Sequence, residues 1–195
     1  MSIPVGHGYN VGSTFARNLE ELMARLPYVE KDAAAPDQEK ILAQVTQKSG
    51  KIANIWKLMA HSPLSLETFM PFYKALMAKT SLDGKLRELA YVKTSLLNDC
   101  AYCAASHKGV GMKVGVTEQQ LKEIDQFESS SAFSPVEKLV LRYAEELTKN
   151  VKTSDELMKE LRKHLSEAQI VELTLTVGIA NLTNRFNVSL ATDPD

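Results

Sequence analysis

Residues 82–107 read LDGKLRELAYVKTSLLNDCAYCAASH, and this stretch decides the fold that we expect. Apolar residues recur at helical spacing after a start signal at Asp83, so we predict a helix from about Asp83 to Leu97. Asn98-Asp99 interrupts this pattern, and a second helix is predicted to carry residues 101–107, ended by the three glycines within residues 109–115. The stretch therefore predicts two consecutive helices with a short break between them.

Helical signals continue along the rest of the chain, and no strand-like alternation persists beyond a few residues. Ser134-Pro135-Val136-Glu137 combines a capping residue, proline at the first helical position and a glutamate that completes a capping box. Capping-box spacing recurs at Thr117 and Ser166, and Ser154 starts another helix. Further helices are predicted over about residues 11–26, 37–47 and 63–80, with a loop at residues 27–36. We therefore predict an all-α protein in which residues 1–195 form a single compact helical domain.

The composition is that of an ordinary globular protein of 195 residues, with 44% hydrophobic and 24% charged residues. The net charge of −1 comes from acids and bases spread along the chain, which gives no electrostatic footprint for nucleic acid or an anionic membrane. The N-terminus has no secretory pattern, and no stretch approaches about 18 uninterrupted apolar residues. We therefore expect a cytoplasmic protein that binds neither nucleic acid nor membranes.

The chemistry of the chain is concentrated in Cys100 and Cys103, its two cysteines. Structural disulfides are rare in the cytoplasm, so a close pair of cysteines there points to a different role. Asn98 or Asp99 is a suitable N-cap, which would place both cysteines in the first turn, near the positive end of the helix dipole. This position lowers the pKa of a thiol, and residues three apart share a helical face on which a disulfide can form.

His107 and Glu88 are the residues that we expect to assist the cysteines. His107 lies four residues after Cys103 and seven after Cys100, so all three lie on one face of the predicted helix. An imidazole at this spacing can accept the proton of a thiol. Glu88 lies on the preceding helix, and its carboxylate can orient the imidazole if that helix folds back on the CxxC helix.

Three alternative roles for these residues stay open at the level of sequence. The cysteines and His107 could belong to a zinc site, although structural zinc needs four ligands and usually a second cysteine pair, which the chain lacks. Both cysteines could be inert core residues, because free cysteine is often buried. Glu88 could be an ordinary charge on the surface of its helix.

The pattern Glu88-x11-Cys100-x2-Cys103-x3-His107 resembles the signature of the AhpD-like alkylhydroperoxidases, in the carboxymuconolactone decarboxylase superfamily. The resemblance covers residues 82–121, and the residues around 181–187 look like those of the peroxidase-related branch. It implies an all-α domain that assembles as a trimer or a hexamer. We expect the activity to need no metal and no organic cofactor.

The resemblance also implies a mechanism. Glu88, through water, makes His107 a better base, and His107 deprotonates Cys103. The Cys103 thiolate attacks a small organic hydroperoxide and becomes a sulfenic acid, which Cys100 converts to a disulfide. A dithiol reductant, of the dihydrolipoyl type or a thioredoxin-like protein, restores the thiols by exchange. The expected function is a thiol-dependent hydroperoxide reductase with peroxiredoxin activity.

Two details of the motif affect the roles of individual residues. The best-known members of the family have a histidine immediately before the second cysteine, where this chain has Tyr102. A phenol with a pKa of about 10 is a poor proton relay at neutral pH, so Tyr102 and Asp99 are candidates only for a supporting role. General CxxC chemistry favours Cys100 as the nucleophile, whereas the histidine spacing and the resemblance favour Cys103, which we choose.

Other functions are compatible with the same residues. They are a cofactor-free reaction like that of the lactone decarboxylases of the superfamily, a non-catalytic redox sensor and a general dithiol–disulfide oxidoreductase. A group of polar residues in the otherwise apolar last helix either supports the site or a subunit interface, or forms a solvated face. These residues are Asn181, Asn184, Arg185 and Asn187.

Overall fold

The computed structural model describes residues 24–46, 50–78 and 80–195. Across these residues the chain forms nine α-helices and no β-strand, which confirms the predicted all-α class. The helix predicted over residues 11–26 lies outside the described residues, except for residues 24–26, which are not helical. The helices are α1 (Pro36–Val45), α2 (Asn54–Met59), α3 (Pro63–Met77), α4 (Gly84–Leu97), α5 (Ala101–Lys113), α6 (Glu118–Glu123), α7 (Pro135–Asn150), α8 (Asp155–Leu161) and α9 (Glu167–Leu190), with two short 3-10 helices at Lys31–Ala33 and Ile124–Gln126.

The predicted helix starts of the C-terminal half are confirmed by side-chain caps. Thr117, Ser134 and Ser166 each accept a hydrogen bond from the backbone N–H three residues on, and each start is a complete capping box. Ser154 caps α8 in the same way. Asp83 caps α4 by accepting from two backbone N–H groups at 2.9 and 3.2 Å. Local hydrogen bonding therefore determines where these helices begin.

The predicted end of the CxxC helix is wrong. α5 continues through Gly109 and Gly111 to Lys113, and only Gly115 lies beyond the helix, with a positive φ of 99°. Gly111 is inside the helix because α5 lies close to its neighbours there. A Cβ at this position would approach Val116 to 3.2 Å and the Cβ of Glu88 to 3.5 Å. The glycine therefore allows α5 to pack tightly against α4 instead of ending the helix.

Helix α4 lies at the centre of the fold and packs against α5, α7 and α9. Every residue from Leu86 to Ser95 is buried, so the helix has no solvated face along this length. Its Ala90 belongs to a cluster with Val140 of α7 and Leu173 of α9. Burial of such an aliphatic side chain contributes roughly 1.5–3 kcal/mol, and these contacts hold α4 in a fixed position. Glu88 is therefore carried by a helix that is held by three neighbours.

Helices α1, α2 and α3 form a second hydrophobic cluster, which meets α9 at Phe186. A further cluster joins Leu76 of α3, Tyr91 of α4 and Ile179 of α9, and it includes both cysteines. The start of α5 thus lies where elements from the two halves of the chain meet. None of the described helices has the length and apolar character that a membrane span requires.

Candidate redox site

The CxxC motif lies at the start of α5, but the residue that caps this helix differs from the prediction. Cys100 itself is the N-cap, and its Sγ accepts a hydrogen bond from the backbone N–H of Cys103 at 3.4 Å. The sequence pattern favours Asn98 or Asp99 in that role, which is wrong. Asn98 instead ends α4, and Asp99 forms the connection with a positive φ of 53°. The capping sulfur replaces the usual side-chain oxygen at the positive end of the helix dipole.

The two thiols are buried and face each other. Cys100 and Cys103 are 2% and 3% exposed, and their Sγ atoms lie 2.7 Å apart. Both cysteines are free, because a disulfide bond would be about 2.05 Å long. Only a small movement is needed to join the two sulfurs in a disulfide.

The hydrogen bonds around the pair distinguish the two thiols. The hydrogen bond from Cys100, together with those from Asn187 and Asn184, lowers the pKa of Cys103 from 9.0 to about 7 although burial opposes this. The same hydrogen bond between the sulfurs, with burial, raises the pKa of Cys100 far above its ordinary value. Cys103 is therefore the sulfur that more readily carries the negative charge, with a protonated Cys100 beside it.

His107 and Glu88 form a buried pair beside the cysteines. The imidazole Nδ1–H donates to Oε2 of Glu88 at 2.7 Å, and the two residues are 6% and 0% exposed. α4 therefore folds back on α5 as the hypothesis requires, and Glu88 is not a surface charge. The carboxylate contacts the imidazole directly, whereas the resemblance implies a contact through water. Because Nδ1 carries the proton, Nε2 of the imidazole is the acceptor.

Two tyrosines hold the imidazole on its other sides. The ring of Tyr91 stacks on that of His107, with 3.4 Å between the ring centroids. The hydroxyl of Tyr73 lies 3.4 Å from Nε2 of His107. Burial, with the nearby Glu88 and Cys103, raises the pKa of Tyr73, so its hydroxyl stays protonated and can donate to Nε2. The sequence contains no signal that places Tyr73, on α3, at the site.

A cavity of about 240 Å³ opens beside Cys103 and His107. Its walls come from α2, α3, α4, α5 and α9, and four aromatic side chains provide much of its surface. Cys103 and His107 both line it, one helical turn apart on α5. The aromatic side chains are Trp56, Tyr73, Tyr91 and Tyr102, and polar side chains are contributed by Ser106, Thr183, Asn187 and Asp195.

Cys100 lines a different cavity, of about 280 Å³. Asp99 and Tyr102 lie at this second cavity together with residues 191–194 of the C-terminal segment. The Tyr102 hydroxyl donates to Oδ2 of Asp195 at 2.8 Å, and Asp195 also accepts from the backbone N–H of Asn54 at 2.6 Å. Tyr102 and Asn187 line both cavities, whereas Cys103 lines only the first and Cys100 only the second.

The four polar residues of α9 that the sequence indicates have different roles. Asn184 is fully buried and accepts from Asn98 at 3.0 Å, which ties α9 to the break between α4 and α5. Asn187 donates from its amide to Sγ of Cys103 at 3.1 Å. Arg185 is exposed and donates to Asn181. The sequence indicates these four residues as a group, but it does not distinguish the two that serve the site from the two that do not touch it.

No group of three or more histidine, cysteine or acidic side chains within the described part of the chain is arranged to hold a metal ion. The structure brings Cys100, Cys103, His107 and Glu88 together as the candidate site, and it adds Tyr73 and Asn187 to them.

Comparison with known proteins relates this arrangement to a family. The carboxymuconolactone decarboxylase family matches residues 63–146, which contain the whole motif. The uncharacterized protein YdfG of Bacillus subtilis (strain 168) is 31% identical over 114 residues, which cover 57% of this chain and 78% of YdfG.

Solved structures share the fold at lower identity. An uncharacterized peroxidase-related protein with an alkylhydroperoxidase AhpD core, from Ralstonia eutropha JMP134, superimposes with a TM-score of 0.77 and 22% identity, covering 88% of this chain and 92% of that one. The debrominase Bmp8, also solved in complex with 2,3,4-tribromopyrrole, superimposes with a TM-score of 0.71 and 20% identity, covering 89% and 92%. From the matched motif and the identity with YdfG, the chain belongs to the carboxymuconolactone decarboxylase family, and it has an AhpD-like fold.

Proposed function

We propose that the protein is a thiol-dependent hydroperoxide reductase that cycles Cys100 and Cys103 between dithiol and disulfide. The observation that carries the proposal is the pair of sulfurs 2.7 Å apart, of which only Cys103 has a lowered pKa. A thiolate beside a protonated partner is the arrangement that peroxide reduction needs, because one sulfur attacks and the other condenses with the product.

The first step uses the Cys103 cavity. The Cys103 thiolate attacks the terminal oxygen of the hydroperoxide, the O–O bond breaks, and the sulfur becomes a sulfenic acid. The alkoxide that leaves takes up a proton and departs as an alcohol. His107 lines the same cavity, and its Nε2 can take the proton of Cys103 and deliver it to the alkoxide. Glu88 holds Nδ1 and stabilises the charged imidazole between these two transfers.

The second step forms the disulfide. The sulfur of Cys100 attacks the sulfenic sulfur of Cys103, and the hydroxyl leaves as water after it gains the Cys100 proton. Cys100 is a poor thiolate in the reduced protein because its proton is shared with Cys103. Oxidation of Cys103 removes the negative charge that holds this proton. Cys100 therefore becomes the attacking sulfur only after Cys103 has been oxidised, which fixes the order of the two steps.

The third step restores the thiols, and we place it at the cavity that Cys100 lines. A reductant thiolate attacks one sulfur of the disulfide, and the sulfur with the lower thiol pKa is the better leaving group. Cys103 has the lower pKa and Cys100 lines its own cavity, so we place the attack at Cys100. The second thiol of the reductant then releases Cys100. A dihydrolipoyl group or a thioredoxin-like protein provides the two thiols that this exchange requires.

The proposal includes assembly as a homo-oligomer, a trimer or a hexamer. α9 exposes a continuous stripe of apolar and small residues, with Val171 57%, Leu175 40% and Leu182 50% exposed. A Cβ added at Gly178, in the middle of this stripe, would meet no atom within 4 Å. An uncovered apolar helix face of this kind supports packing against a second copy of the chain.

The central test is a thiol titration with intact-mass measurement, before and after one equivalent of cumene hydroperoxide. We expect both thiols to be lost with a mass decrease of about two mass units, because disulfide formation removes two hydrogens. Cys100→Ser is the matched control and should lose its single thiol without forming a disulfide. If both thiols of the folded protein stay free, the proposal is wrong, and lactone decarboxylation is the next reaction to test. Sustained turnover on addition of dihydrolipoamide separates an enzyme from a redox sensor.

A second candidate function is reductive removal of a halogen from an aromatic compound. The aromatic lining of the Cys103 cavity favours it, as does the similarity in fold to Bmp8. Oxidation of the two thiols to a disulfide releases two electrons and two protons, which convert an aryl bromide to the arene and hydrogen bromide. Bromide release from 2,3,4-tribromopyrrole by the reduced protein, without peroxide, tests this candidate directly.

A further inference from the structure

The side-chain amide of Asn187 contacts the sulfur of Cys103, whereas its side-chain oxygen has no hydrogen-bond partner among the described residues. Its amide nitrogen donates to Sγ of Cys103 at 3.1 Å. No donor among the residues that the structure describes reaches its side-chain oxygen, although the residue is only 2% exposed. Buried polar atoms nearly always have a hydrogen-bond partner, so an unpartnered carbonyl oxygen at a reactive centre points to a ligand.

The neighbouring Asn184, in the same helix, provides a comparison, because all of its side-chain polar atoms have hydrogen-bond partners within the protein. It lies one turn before Asn187 and is fully buried. Its amide donates to Ser95 at 3.1 Å, and its oxygen accepts from Asn98 at 3.0 Å. Both ends of the Asn184 carboxamide are therefore satisfied by the protein. The difference lies in location, because Asn187 lines the Cys103 cavity and Asn184 does not.

We propose that Asn187 is a catalytic residue that binds the hydroperoxide: its amide holds the sulfur of Cys103 while its oxygen accepts the O–H of the incoming hydroperoxide. This inference rests on the proposed function and adds a substrate-binding group to it. The two polar atoms of a carboxamide share one carbon, so an O–H bound to the oxygen lies next to the sulfur bound to the amide. The terminal oxygen of the hydroperoxide is thereby placed against the atom that attacks it.

The hydrogen bond is preserved through the reaction. The terminal oxygen keeps its hydrogen while the S–O bond forms and the O–O bond breaks, and the alkoxide takes its proton from His107. The product at Cys103 is a sulfenic acid whose O–H is the one that Asn187 already holds. The same contact therefore orients the substrate and then the sulfenic acid, until Cys100 attacks.

The inference defines a substrate class. A peroxide must carry a free terminal O–H to use the oxygen of Asn187, so alkyl and aryl hydroperoxides are accepted. Dialkyl peroxides have no such hydrogen. A site built to hydrogen-bond a substrate O–H disfavours analogues that lack it, because the buried acceptor is then left unpaired.

The test compares two reactions of the same thiolate in a Cys100→Ser background, in which Cys103 is the single thiol. Oxidation by cumene hydroperoxide uses the oxygen of Asn187, whereas alkylation by iodoacetamide needs only the thiolate. Both rate constants are measured near pH 9.5 and corrected for the thiolate fraction, which is obtained from the pH dependence of alkylation. The readout is the ratio of the oxidation rate constant to the alkylation rate constant.

We expect Asn187→Ala to lower this ratio by about tenfold, as loss of one hydrogen bond to the substrate predicts. Asn187→Asp loses the amide donor but keeps an acceptor oxygen, so its ratio should stay within about threefold of the parent even though its thiol pKa rises. Asn181→Ala is the matched control, because Asn181 is a hydrogen-bonded asparagine of α9 that does not touch the site, and its ratio should be unchanged.

The ways in which the inference can fail are distinguishable. An unchanged ratio in Asn187→Ala, with normal oxidation in the parent, would overturn the role of Asn187 and leave the proposed function intact. Normal alkylation without any oxidation in the parent would overturn the proposed function and this inference with it. An equal loss in Asn181→Ala and Asn187→Ala would show that the effect is structural and would also overturn the inference.

Discussion

The hydrogen bond between the two sulfurs leads to a quantitative prediction about the activation of Cys103. It is the largest of the effects that lower the pKa of Cys103 from 9.0 to about 7. Cys100→Ala removes it and leaves the amide of Asn187 in place. Cys100→Ser is the matched control, because its hydroxyl can still donate to the thiolate.

The magnitude follows from the shift itself. A fall in pKa from 9.0 to about 7 corresponds to roughly 3 kcal/mol of preference for the thiolate. If Cys100→Ala raises this pKa by between about one and two units, the thiolate fraction at pH 7 falls from about one half to between about 0.09 and 0.01. The rate of oxidation of Cys103 at pH 7 should therefore fall between about fivefold and fiftyfold, and it should recover as the pH rises through the new pKa.

The assay is the rate of Cys103 alkylation and of its oxidation by cumene hydroperoxide, followed by mass spectrometry between pH 5 and about 9.5. Each variant has one thiol, so the two pH profiles report on Cys103 alone. We expect the midpoint for Cys100→Ala to lie at least about one unit above that for Cys100→Ser. Identical midpoints near pH 7 would refute the reasoning and assign the activation of Cys103 to groups other than Cys100.

Three further predictions concern the residues around the pair. Glu88→Gln keeps a hydrogen bond to Nδ1 of His107 but loses the negative charge, so oxidation at pH 7 should slow about tenfold; an unchanged single-turnover rate would contradict the role of the carboxylate. Tyr102→Phe should leave that rate within about twofold, because burial and Asp195 raise the pKa of this phenol and its hydroxyl donates to Asp195; a tenfold loss would instead make Tyr102 a proton relay. Leu173→Ala, at a fully buried position, should lower the free energy of unfolding in urea by about 2–5 kcal/mol; a loss below about 1 kcal/mol would mean that the core refills the space.

The sequence predicts the helix starts well because their causes are short-range. A capping side chain and the backbone N–H that it binds are two or three residues apart, so Thr117, Ser134, Ser154 and Ser166 could be identified without any tertiary contact. The predicted end of α5 is wrong because Gly111 is placed by packing. Its missing side chain serves the contact with α4, and no local pattern distinguishes that purpose from a helix stop.

The residues of the candidate site likewise divide into those that the sequence predicts and those that only tertiary packing brings together. Cys100, Cys103 and His107 share one helix, so their common face follows from the 3.6-residue period alone. The pairing of Glu88 with His107 depends on α4 folding back on α5, which the sequence could only state as a condition. Tyr73 belongs to α3, and its contact with the imidazole is a property of packing between distant segments.

The sequence by itself determined the all-α class, the family motif and the choice of Cys100 and Cys103 as candidate redox sulfurs, because these depend on residue type and on spacing along one helix. Only the tertiary structure distinguished the two thiols, by lowering the pKa of Cys103 and raising that of Cys100. That difference arises from hydrogen bonds that α9 and the capping geometry direct at Cys103, and from burial that acts on both thiols. A pKa depends on the neighbours of a group in three dimensions, and the chain brings Asn187 to Cys103 from 84 residues away.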